Sequence, residues 1–233
     1  MIKNVVSYAL AGLTSLAIFL PTVGRGQSSW CALRFGGQTG EETFHLSMDV
    51  GFNVSSLPGL SQQQPIFGSN IGFGTYFKLN NKWALAPELK LFSSRGAADV
   101  KSIYNDVTIQ NPKSNIVTNY IDLPLLVQYN ISDQVNVAAG AQISFLTYAK
   151  QITTGSLTSG QIVAVSYDIK SLMHKEGFMV PIQLGYTSRP SGVGLKLRYN
   201  IGIMEAFTAT SIAESKNSTF QFIACLPFYK KVK

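Results

Sequence analysis

His45, Ser47 and Asp49, at two-residue spacing, are the nearest this sequence comes to a hydrolytic constellation. A nucleophilic serine needs an imidazole beside it and a carboxylate to orient that ring. Alternate positions of any strand share a face, however, and Ser and Asp are ordinary occupants of a polar interior, so the spacing alone does not define a triad. The other histidine, His174, lies far along the chain, and two Cys and two His this widely separated give no metal-ligand spacing. No cofactor is expected. Cys31 and Cys225 are candidates for a disulfide if the chain is exported, with two unpaired thiols as the alternative. The glycine-rich pieces 72–74 and 192–194 precede no helical pattern and so do not cradle phosphate; room for opposing side chains is the simpler reading. What remains is a set of charges, Asp49, Lys78, Glu88, Lys90, Asp122, Lys196 and Arg198, whose meaning depends on where the backbone points them.

The elements that must point them are strands. Phe44, Leu46, Met48, Val50, Phe52 and Val54 alternate with polar or small residues, and a period of two places them on one face. The same pattern recurs over 71–79, 83–91, 121–129, 135–145, 178–186, 193–203 and 220–228, which makes eight segments. Each is roughly the length that a tilted strand needs to cross hydrocarbon. Between them the gaps alternate strictly: 56–69 long, 80–81 short, 93–115 long, 131–134 short, 150–177 long, 187–192 short, 204–216 long. The expected fold is all-β, an eight-stranded antiparallel up-and-down transmembrane barrel with short periplasmic turns and four longer extracellular loops. Segments 161–169 and 102–110 also look strand-like, either as extensions above the membrane or as a ninth and tenth strand.

Composition agrees. The chain has 233 residues, 45% hydrophobic and only 13% charged, against about a quarter charged in ordinary soluble domains. The seven charges above fall on the polar face of their strands with Asn70, Gln128, Asn136, Gln142, Gln183, Asn200 and Gln221, so an apolar exterior would surround a charged lumen network. Trp83, Tyr129, Tyr186 and Phe228 lie beside the short turns or the chain end, where a periplasmic-side aromatic girdle belongs. Pro87, Pro124, Pro181 and Pro227 interrupt alternating runs, and bulges or strand ends are expected there.

Residues 1–26 read as a cleaved signal peptide: Lys3 precedes the mostly apolar stretch 5–20, then come Pro21, Gly24 and Gly26. A retained single-span anchor is the alternative. Residues 27–42 form a short periplasmic segment, 43–229 the barrel and 230–233 a basic tail. Cleavage leaves 17 basic against 12 acidic residues, +5, scattered apart from the terminal lysines, so nucleic acid is not an expected partner.

Several blocks resemble the PorT-like outer-membrane β-barrel family: 49–55 (DVGFNVS), 87–89 (PEL), 119–129 (NYIDLPLLVQY), 139–140 (AG) and 195–202 (LKLRYNIG). They occur in order along nearly the whole mature chain. The Tyr-Ile-Asp-Leu-Pro-Leu-Leu block is the most specific, with the acid and proline that the family also has. The resemblance implies a small eight-stranded barrel in a Gram-negative outer membrane. It implies contact with outer-membrane lipid and with the barrel-assembly machinery during insertion. It also implies, through the member that names the family, a link to type IX protein secretion. Such barrels commonly end on an aromatic residue; here Phe228 fills that place, although Tyr229-Lys-Lys-Val-Lys follows. The functional expectation is a monomeric, non-enzymatic envelope anchor or scaffold that contacts another envelope or secretion protein. A lipid-modifying enzyme using His45 and a narrow channel are the alternatives.

Overall fold

The computed structural model describes residues 44–104, 109–188, 192–208 and 214–228. The expected signal peptide, the segment 27–42, Cys31 and the tail 230–233 lie outside the described residues. Among those described are nine strands: β1 (Phe44–Ser56), β2 (Ile66–Lys78), β3 (Trp83–Val100), β4 (Gln110–Asn130), β5 (Val135–Ser156), β6 (Ile162–Asp168), β7 (Glu176–Thr187), β8 (Gly194–Glu205) and β9 (Lys216–Pro227). One short 3-10 turn spans Lys170–Leu172.

Eight strands close a ring. Neighbours pair antiparallel in the order β1-β2-β3-β4-β5-β7-β8-β9, and β9 pairs back onto β1 from Ser47↔Pro227 to Ser56↔Ser218. β6 stands outside the ring and pairs with the far half of β5, from Lys150↔Asp168 to Ser156↔Ile162. Segment 161–169 therefore extends a hairpin and does not widen the wall. Closure leaves no open sheet edge in the ring itself, the condition for strands to cross hydrocarbon.

Alternation puts apolar residues outside and polar ones inside. Phe52, Ile71, Leu91, Leu125, Ile182, Leu195 and Phe222 are exposed on the outer face, while Asp49, Asn53, Glu88, Lys90, Gln142, Gln183, Arg198 and Gln221 are buried in the bore. A water-soluble barrel would reverse these faces.

The long connections are shorter than the sequence suggests, because strands consume much of them. β3, β4 and β5 run for 18, 21 and 22 residues, against 13 for β1 and 12 for β8. The pattern was hidden by register shifts. One lies in β3 between Lys90 and Ser93, and another puts Tyr120 opposite Leu146 but Asn119 opposite Tyr148. Each extra residue reverses which parity faces inward, so the alternation counted from the membrane segment fails beyond it.

The prolines behave differently from expectation. Pro227 ends β9, but Pro87, Pro124 and Pro181 cause no register shift. Pairing lapses for two residues beside each one, between Gly74↔Glu88 and Phe77↔Leu85, between Pro87↔Leu125 and Lys90↔Asp122, and between Ala139↔Ile182 and Gln142↔Met179, then resumes in step. A proline deletes one donor toward one neighbour and leaves the spacing of the chain intact.

Candidate functional site

The bore is built in layers, counted from the end with the short turns. Ala86, Leu126 and Ala138 form a small apolar patch on the β3–β5 wall. The adjoining layer is ionic. Lys90 Nζ lies 2.5 Å from Asp49 Oδ2 and 3.1 Å from Glu88 Oε2. Lys196 Nζ donates to Asp49 Oδ2 at 3.2 Å and to Glu88 Oε1 at 2.9 Å. Arg198 Nη2 donates to both Glu88 oxygens, at 2.7 and 2.8 Å, and to Gln183 Oε1. Gly74 leaves the space this layer occupies, since a Cβ there would stand 3.1 Å from Asp49 Oδ2.

Topology gives these contacts their weight. β3 and β8 are four strands apart in a ring of eight, so the Glu88–Arg198 pair spans opposite walls. It braces the bore across its diameter.

Five of the seven expected network residues thus meet in one cluster: Asp49, Glu88, Lys90, Lys196 and Arg198. Asp122 instead binds Arg95, whose guanidinium also reaches Ser144 Oγ at 3.4 Å and lies 4.8 Å from the Tyr120 ring centroid. Lys78 is half-buried at the turn end of β2, opposite Ala84. Arg95 carries no sequence signal of its inward position, because it falls beyond the shift in β3, where the alternation inverts. A second buried anchor there, Gln151, holds 103–104: its Oε1 accepts from the Ile103 and Tyr104 amides and its Nε2 donates to Tyr104 O.

At the end with the long connections the interior turns apolar. Leu57, Ala97, Val100, Ile116, Tyr120, Leu146, Ala149, Ile169, Met173, Ala206 and Phe207 form one buried cluster. Met173 and Phe207 pair across it, and His174 N donates to Ala206 O at 3.0 Å. An inner wall expected to be polar throughout is therefore capped by hydrocarbon. Past the last β3–β4 pair, Val100↔Ser114, β4 and β5 continue with β6 as a three-stranded blade that carries exposed Ile162, with exposed Tyr104 against its Tyr167.

Ser47 Oγ lies 2.9 Å from Asp49 Oδ1 and 3.3 Å from Gly74 O, while His45 stacks on Tyr76 with centroids 5.6 Å apart. The serine proton is thus directed to acceptors other than the imidazole. Trp83 and Tyr129 meet edge to face at 4.9 Å, Phe228 stacks on Phe73 at 6.2 Å, and Tyr186 OH accepts from Gln134. All four expected girdle aromatics stand at the short-turn end. Cys225 is a buried free thiol, and its proposed partner Cys31 lies outside the described residues.

A closed ring with a lipid-compatible exterior and an ion-paired lumen defines an outer-membrane-type β-barrel. Residues 34–208 match the family model described as outer membrane protein beta-barrel domain, and the chain belongs to this family. Its place is accordingly the outer membrane. Among solved structures it is similar to Ail, the attachment invasion locus protein of Yersinia pestis, at 13% identity and TM-score 0.43, over 79% of this chain and 99% of that one. It is also similar to Neisserial surface protein A, at 12% identity and TM-score 0.40, over 78% and 96%. A third similar structure is CarO2 of Acinetobacter baumannii, at 10% identity and TM-score 0.37, over 76% and 98%. No curated protein matches the sequence.

Proposed function

We propose that this barrel is a non-enzymatic anchor or scaffold of the outer membrane that engages another envelope protein through its protruding blade. The observation that carries the reading is the doubly obstructed bore, with a brace of ion pairs across the diameter and an apolar cap above it. With the lumen filled, activity belongs to what projects from the wall. There the blade offers aromatic and aliphatic side chains on a rigid sheet, a surface suited to binding. The sharper version is a PorT-like accessory of type IX secretion. Its support is the Tyr120–Leu126 block, in which Asp122 holds Arg95 and Pro124 is accommodated without a register shift.

The test is photocrosslinking in intact cells from a probe at Ile162, at the blade edge. A single specific envelope adduct, lost when the 157–161 turn is shortened, is the expected result. Deletion cells that still secrete type IX cargo normally would remove the secretion version while leaving the scaffold. Changed outer-membrane lipids in those cells, restored by wild type but not by His45→Ala, would instead establish the enzyme.

A further inference from the structure

Between the ionic layer and the apolar cap the inner wall carries buried polar atoms that no protein group satisfies. On β8 these are Arg198 Nη1 and both amide atoms of Asn200; on β9, Thr219 Oγ1 and Gln221 Oε1; on β2, Asn70 Oδ1. Arg198, Asn200, Thr219, Gln221 and Asn70 are each at most 1% exposed. The register makes them neighbours: Asn200 faces Thr219, Arg198 faces Gln221, and Gln221 faces Asn53. Asn70 and Gln221 both spend their amide nitrogens on Asn53 Oδ1, at 2.7 and 3.0 Å, which fixes their oxygens as acceptors. Orphaned polar groups at this density, on β8, β9 and, across Asn53 of β1, on β2, mark a layer that holds something polar.

Charge decides what. The adjoining layer sets three cations, Lys90, Lys196 and Arg198, against two carboxylates, Asp49 and Glu88. Lys196 keeps 18% of its side chain exposed and so retains access to water. Arg198 is sealed, and a guanidinium N–H without an acceptor is costly in a closed interior. We infer that the bore holds a small inorganic anion of the chloride class at Arg198 Nη1. The Asn200 amide and the Thr219 hydroxyl complete its donor set. The oxygens of Gln221 and Asn70 accept from water that hydrates the anion's far side.

The experiment is to refold the full barrel in detergent in bromide and to collect anomalous diffraction. A bromide peak within hydrogen-bond reach of Arg198 Nη1 is expected; water alone in the layer overturns the inference. Unfolding midpoints supply a second readout, because a ligand that binds only the folded state raises stability with its concentration. The midpoint should be higher in bromide or chloride than in gluconate of equal ionic strength, and that difference should vanish in Asn200→Leu/Thr219→Val. Equal midpoints in all three salts for the wild type also overturn it. Should the double variant not fold, the wild-type anomalous map and salt series decide.

Discussion

Glu88 receives Lys90, Lys196 and Arg198, so its single negative charge serves three cations. Buried pairs contribute little net stability compared with a well-packed apolar core, but removing one partner strands the others. Glu88→Gln should therefore lower the stability of the folded barrel by about 3–5 kcal/mol, read from urea titrations followed by gel mobility. A variant within about 0.5 kcal/mol of wild type would show that water reaches the cluster freely. Gln151→Leu makes a different kind of prediction. It removes three hydrogen bonds to 103–104 but no part of the ring, so protease cleavage within 101–104 should accelerate while the barrel's unfolding midpoint stays put. A fall in the midpoint would mean that the connection helps to hold the ring together.

The strands themselves invite a test of register. Deleting Leu91 should erase the shift between Lys90 and Ser93 and restore one parity along β3, with Ser93 and Arg95 still facing the bore. The expected outcome is a barrel that keeps its compact, heat-modifiable form on a gel; loss of that form would show that closure needs the bulge itself. The same shift explains what could and could not be read from the amino acids. In the eight membrane segments each side chain's face follows from simple alternation, and Phe52, Leu125 and Phe222 lie outside as that rule requires. Past Leu91 and Leu146 the rule inverts, so Arg95 and Gln151 were indistinguishable from loop polars. The ionic cluster was legible as membership, because charge on an inward face is visible in sequence. Its geometry was not: which cation meets which carboxylate depends on strand stagger, and stagger leaves no mark in a single chain's periodicity. The apolar cap was hidden because it is assembled from connections such as 169–173 and 206–207 that have no period at all.

Two independent obstructions make a prediction for the barrel as a unit. Wild-type protein in planar bilayers should show no large stable conductance. Glu88→Ser combined with Arg198→Ser removes the cross-bore brace and yet should also stay silent, because Phe207, Met173 and Ile169 still close the other end. Stable current from the double variant would show that the cap yields to water.

The brace across the bore also bears on assembly. Its anionic member sits on the third strand of the ring and its cationic member on the seventh, 110 residues apart. Until the later hairpin arrives, Asp49 and Glu88 share Lys90 alone and lack Lys196 and Arg198, and an uncompensated buried carboxylate is costly to insert. Stable insertion is thereby tied to completion of the chain: a product cut short before β8 holds two inward carboxylates against one lysine.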